Sequence, residues 1–191
     1  MILRALFTNL LLALATLLHA QHDPLTARHA RINALYEAQR FPELIREIDA
    51  QVAGSAGTTW ADSLHRYLYK YGRAHRKLKG AGAGTAAAER MYALVKERGK
   101  ANNELEALFD LSWTYYDVGE MKQCARVDSL AVAVADADPD VPIAQKGRAR
   151  QYLAFDHSVI GDHARSAYWA QAALDVYAKA DSIKPAQWAE S

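Results

Sequence analysis

Apolar and polar positions recur along this chain in a fixed order. The stretch LEALFDLSWTYYDVGEMKQCARVDSLAVAVA (105–135) can be laid over GRARQYLAFDHSVIGDHARSAYWAQAALDVYA (147–178). Leu111 then meets Leu153, Ser112 meets Ala154, and Tyr115 meets His157. Gly119 meets Gly161, Cys124 meets Ser166, and Ala131 meets Ala173. Size and polarity are shared at each pair. The pattern predicts a helix, a turn carrying glycine, and a second helix with small residues. Two weaker copies lie upstream. HRYLYKYGRAHRKLK places Gly72 at the small position and His75 at the aromatic one, and TAAAERMYALVKER supplies a second helix with Ala88 and Val95. The interval from Gly72 to Ala88 is longer than that from Ser112 to Cys124, so the surplus is assigned to a GAGAG turn insertion. LTARHARINALYEAQRFPELIREIDAQV forms the first unit around Ile32, Leu35 and Leu44, with its turn at AQRFPEL.

A single helical hairpin cannot bury its own apolar face, whereas neighbouring hairpins bury a continuous core. Small residues at Ser112, Cys124, Ala131, Ala154, Ser166 and Ala173 let helices approach, and Leu111, Tyr115, Leu153 and Tyr177 fill the gaps. Composition agrees. Glycine and proline number only 10 and 5, while Ala, Leu, Glu, Gln and Arg, which favour helices, recur throughout. No strand-like alternation of Val, Ile and Thr stands out. An all-α fold is expected.

The start of the chain differs from the rest. One positive charge in MILR precedes the apolar run ALFTNLLLALATLL, and Ala20 occupies the small position before Gln21. This is the pattern of a secretory signal peptide. Residues 1–20 are therefore expected to be a signal, 21–182 a helical repeat domain, and 183–191 a capping helix or the start of a further repeat. The expected location is the periplasm or another part of the cell envelope, or the extracellular space. No second long apolar run follows, so no stable membrane span is expected in the mature chain. The formal net charge of +1 gives no argument for a nucleic-acid partner. The single cysteine, Cys124, cannot form an internal disulfide, so stability must come from packing.

Leu111, Ser112, Tyr115, Gly119, Cys124 and Ala131, and their counterparts one unit on, resemble the tetratricopeptide repeat. That family's pattern is a large apolar residue, a small residue, an aromatic, a turn glycine, and small residues on the second helix. His157 departs from the aromatic, and the step from Leu111 to Leu153 exceeds the family's usual unit of about 34 residues. The extra length is placed at ADADPDVPIAQK (135–146) and in a longer second helix. The resemblance implies a right-handed superhelical solenoid of about four hairpins. It also implies a concave face, lined by first helices, that holds an extended peptide or a partner helix. Carried over, that face comprises His29, Asn33 and Tyr36, then Arg66, Tyr69, Arg73, Arg76 and Lys77. It continues with Glu106, Phe109, Trp113, Tyr116 and Asp117, and ends with Arg148, Gln151, Phe155 and Val159. The second unit is basic, adding Lys70 and Lys79, and the third is aromatic. Such a face suits an acidic segment or a C-terminal carboxylate with an apolar anchor.

Catalytic and cofactor chemistry finds little footing. Gly82 to Ala87 fits a loose G-x-G-x-x-A fingerprint, but a dinucleotide site needs a buried strand before the first glycine, and RAHRKLK precedes it here. DADPD (136–140) lacks the glycine and the bidentate Glu of a calcium loop, because Val141 and Gly147 stand at those places. The seven histidines form no metal-ligand spacing, and no G-x-S-x-G or S-x-x-K occurs. No cofactor, metal or catalytic residue is expected. The expected function is a non-catalytic protein-interaction module. The alternatives are an exported sensor or scaffold region of a larger signalling or peptidase-containing protein, and an enzyme.

Overall fold

The computed structural model describes residues 24–54 and 59–179. The expected signal at 1–20 and the segment 183–191 lie outside the described residues. Among the described residues eight α-helices follow in order: α1 Pro24–Glu37, α2 Phe41–Gly54, α3 Leu68–Lys79, α4 Ala81–Glu97, α5 Ala101–Tyr116, α6 Met121–Ala137, α7 Ile143–Ile160 and α8 His163–Ala178. A 3-10 helix, Thr59–Tyr67, leads into α3. The described residues contain no strand. The fold is all-α, and none of these helices is long and apolar enough to cross a membrane.

Packing follows chain order. Each helix rests on the next, and α3 also packs on α5. The positions that repeat in the sequence carry these contacts. Ile32, Leu44, Leu108, Cys124, Ala131 and Leu153 are fully buried, and Ser112, Ala154 and Ala173 nearly so. Cys124 Sγ approaches the Ser112 carbonyl at 3.4 Å, so α5 and α6 meet where both side chains are small. Ser166 and His157 are half-buried. Where α6 gives way to α7, Asp138 Oδ1 accepts from the Asp140 amide at 2.8 Å, and Asp136 bonds both carboxylate oxygens to Arg150 at 2.7 and 2.8 Å. The DADPD acids thus close a linker and pin it to α7.

The GAGAG stretch is not a turn insertion. Only Gly80 turns the chain, at φ +91°, a conformation that side chains disfavour. Ala81 to Thr85 already belong to α4. Gly84 is buried against α3, where an added Cβ would lie 2.6 Å from Arg76 Cβ and 2.9 Å from the Gly72 carbonyl. Gly72 is confined less severely, with Ala88 Cβ, the Gly84 carbonyl and Thr114 Cγ2 at 3.1–3.3 Å from a Cβ placed there. The counterpart of Gly72 is therefore Gly84 rather than Ala88. The pairs Gly72/Gly84, Ser112/Cys124 and Ala154/Ser166 are then equally spaced along the chain, and no surplus needs a loop. Glycine weakens a helix locally by about 1 kcal/mol, but here it lets two backbones approach closely.

Candidate functional site

On α3, Leu68, Tyr71, Gly72, Ala74 and His75 point into the core. The remaining stripe carries Arg66, just ahead of the helix, then Tyr69, Lys70, Arg73, Arg76 and Lys77. Its cations divide into two groups. Arg76 is committed to α5: its Nη2 meets Asp117 Oδ2 at 2.6 Å and its Nη1 donates to the Asp117 carbonyl at 2.9 Å. Tyr69 supports the same carboxylate, its hydroxyl donating to Oδ2 at 3.2 Å. Burial, then the Asp117 charge, raises the Tyr69 phenol above its ordinary pKa. Arg76 and Tyr69 are therefore structural ties between α3 and the end of α5, and the Arg76 charge is already answered.

Arg73 differs. Its Nη1 donates to the hydroxyls of Tyr36 at 3.0 Å and Tyr69 at 3.4 Å. Its guanidinium lies 5.8 Å from the Tyr36 ring centre, and Lys70 Nζ lies 5.7 Å from the same ring. Among the described residues, Arg66, Lys70, Arg73 and Lys77 meet no carboxylate in an ion pair. Arg66 and Lys77 are exposed and Arg73 is half-buried. The uncompensated charge thus sits around Tyr36 rather than beside Asp117.

The aromatic part is built by α5 and α7 facing each other. On α5, Phe109, Trp113 and Tyr116 follow at helical spacing; on α7, Arg148, Tyr152, Phe155 and Val159 do the same. Trp113 and Tyr116 meet edge to face at 5.2 Å, Trp113 and Tyr152 at 6.1 Å, and Tyr116 lies 5.8 Å from Phe155. Trp113, Tyr116 and Phe155 keep 41%, 40% and 46% of their surface exposed. Large aromatics left open on two adjoining helices form a contiguous apolar patch, the kind of surface that marks interaction sites. Phe109 is not part of that open surface. It is 1% exposed, roofed by Tyr152 at 5.0 Å and by the Arg148 guanidinium at 4.5 Å. It props the shelf from beneath and cannot touch a partner directly.

Two contributors escaped the sequence reading. Tyr152 bridges Phe109 and Trp113. Asp110 sits between the basic and aromatic parts, its Oδ2 accepting from the Tyr69 amide at 3.3 Å. Burial pushes its carboxyl up to about 6, against the pull of that amide and of Lys70. Asp110 lies one turn after Glu106 and one before Trp113, so the helical stripe already pointed to it. Glu106 meets Arg148 at 3.4 Å and accepts from Gln145 at 2.6 Å. With Asp117, these acids give α5 a negative stripe between the cations of α3 and Arg148. His29, from α1, bonds the Tyr67 hydroxyl. Gln151 accepts from Tyr177 at 3.4 Å, and Asn33 and Val159 are exposed.

A hollow of about 480 Å³ lies elsewhere, lined by Gly119, Glu120, Met121, Lys122, Gln123 and Ile160. It contains none of the expected face residues. No group of three or more His, Cys, Asp or Glu among the described residues is arranged to hold a metal ion. No protein-family model and no curated protein matches this chain.

Proposed function

We propose that this chain is a non-catalytic interaction module of the tetratricopeptide type, an exported solenoid whose first helices form one binding face. A partner segment lays an apolar side chain on the shelf of Trp113, Tyr116 and Phe155. Its acidic group, a side chain or a terminal carboxylate, lies against Lys70 and Arg73, with Arg66 and Lys77 at the margin. The observation that carries the reading is the exposed aromatic shelf shared by two helices, together with Arg66, Arg73 and Lys77 on the α3 side, which form no ion pair among the described residues. A rigid helical face loses little freedom on binding, which favours affinity from a small contact area. Export to the bacterial envelope rests on the pattern of residues 1–20 and is part of the same proposal.

The test is recovery of partners from an envelope extract by the wild type and by an Arg73→Glu/Trp113→Ala variant of unchanged helicity. Both side chains are at least partly exposed, and unchanged far-ultraviolet circular dichroism is the check that the variant folds. Loss of a buried aromatic anchor costs a hot-spot interface about 2 kcal/mol or more, roughly thirtyfold in affinity. A protein held by the wild type and lost with the variant supports the face. A protein held equally by both overturns it.

A further inference from the structure

Behind the aromatic shelf, three helices meet around two carboxyl groups that the binding face does not use. Asp128 on α6 and Asp156 on α7 are 1% and 3% exposed. Ser112, from α5, donates to Asp128 Oδ2 at 2.9 Å. Neither carboxyl forms an ion pair among the described residues. The two aspartates lie on helices that pack directly against each other, and each is among the causes that shift the other's carboxyl. Asp128 Oδ1 and Asp156 Oδ2 have no donor. The titratable and charged groups facing the pair are Cys124 on α6 and Arg148 on α7. Cys124 is a buried thiol raised by burial and by the two acids, and the Arg148 guanidinium is already engaged by Glu106, Phe109 and Tyr152.

Two carboxylates cannot donate to each other, and two unpaired charges in a dry interior are strongly unfavourable. One proton between them removes one charge, supplies the missing donor and ends the repulsion. We propose that Asp128 and Asp156 share a single proton and act as a pH-operated latch joining α6 to α7, which sets the spacing of the aromatic shelf. Asp128 holds the proton and donates it to Asp156. The directions agree. Burial, then Asp156, raises Asp128; burial raises Asp156 as well, but its bond to Asp128 pulls it back. The link to the shelf is covalent and short. Ser112 adjoins Trp113, and Asp156 adjoins Phe155. When the shared proton leaves, the two charges repel across the α6–α7 contact and the shelf loosens from behind.

The sign of the effect is set by linkage. The folded pair keeps a proton that the unfolded chain has released, so stability is greatest in acid and falls as pH rises. The folding constant should drop by up to about tenfold per pH unit while one proton separates the states. The experiment is urea unfolding of the wild type, Asp128→Asn and Asp156→Asn from pH 6.5 to 8.5. It is read with the carbon-13 carboxyl signals of the aspartates and the fluorine-19 signal of 5-fluorotryptophan at Trp113, assigned by Trp113→Phe. In the wild type, stability should fall through this range, one aspartate should titrate when the carboxyl and fluorine spectra are carried on to about pH 10, and the Trp113 signal should follow that titration. Each asparagine variant should flatten all three curves, because an amide donates permanently. Ordinary titration of both aspartates, or an unchanged slope in both variants, overturns the shared proton. A carboxyl titration that leaves the Trp113 signal still overturns the link to the shelf. None of these readouts needs a binding partner.

Discussion

Gly82 and Gly84 lie close together in one helix and should respond oppositely to alanine. At Gly82 an added Cβ meets nothing within 4 Å. Alanine there gains helix propensity, about 0.5 kcal/mol in a first turn. At Gly84 the same methyl meets Arg76 Cβ at 2.6 Å and the Gly72 carbonyl at 2.9 Å. Carbon contacts settle near about 3.5–4.0 Å, so α3 and α4 must separate by about 1 Å. Neither obstacle is the free end of a side chain. Gly72 is itself confined by Thr114 on α5, which blocks simple retreat of α3. Overpacking of this kind costs about 1–3 kcal/mol, and alanine returns up to about 1 kcal/mol through propensity. The net loss at Gly84 is about 1 kcal/mol, and the two variants should differ by about 1.5 kcal/mol. Over a chain of this length that corresponds to a Tm difference of about 3–6 °C. Thermal unfolding followed by far-ultraviolet circular dichroism reads it. A flexible GAGAG turn would make the two substitutions equivalent. Gly84→Ala as stable as Gly82→Ala would refute the close crossing of α3 and α4 and, with it, the register that pairs Gly72 with Gly84.

Phe109→Ala should destabilise the fold by about 3–5 kcal/mol in urea, whereas Phe155→Ala should change stability by about 0.5 kcal/mol or less, because only the first leaves a cavity. Asp117→Asn removes the charge that answers Arg76 and should lower stability by about 1 kcal/mol, an effect that high salt diminishes in the wild type. Asp110, raised to about 6, binds a proton more tightly folded than unfolded, so its share of stability is complete below the ordinary carboxylate range and is lost as pH rises towards 6; Asp110→Asn should flatten that part of the stability curve. The Cys124 thiol is fully buried and held up at about 12, chiefly by burial, so iodoacetamide at pH 8 should label it only as fast as the chain opens, with labelling accelerating in urea.

The fold was more legible than the face because the two depend on different distances along the chain. Helix, turn and small-residue positions are set by neighbours a few residues away, and they recur, so two good copies at 105–135 and 147–178 could teach the rest. The failure at GAGAG is instructive in the same terms. Read locally, alternating glycines and alanines weaken a helix; only the approach of Gly72, on the preceding helix, shows why glycine is required. The face is decided by partners much farther off. Arg76 and Lys77 look alike in the sequence, yet Asp117, at the far end of α5, answers one and leaves the other. Phe109 and Trp113 share a helical stripe, yet Tyr152 and Arg148 from α7 roof the first and leave the second open. Asp128 and Asp156 look like surface acids until α6 and α7 are laid together. A repeat pattern predicts which residues point at the same face. Which of them a neighbouring hairpin then covers, neutralises or leaves bare depends on side chains about one repeat away, and those side chains need not repeat. Tyr115 and His157 make the point, since they hold equivalent positions and differ in burial, one in the core and one at its margin. What sets the surface of α3, α5 and α7 apart therefore resides in the departures from the repeat: the cations of α3, the acids of α5, and the aromatics shared by α5 and α7.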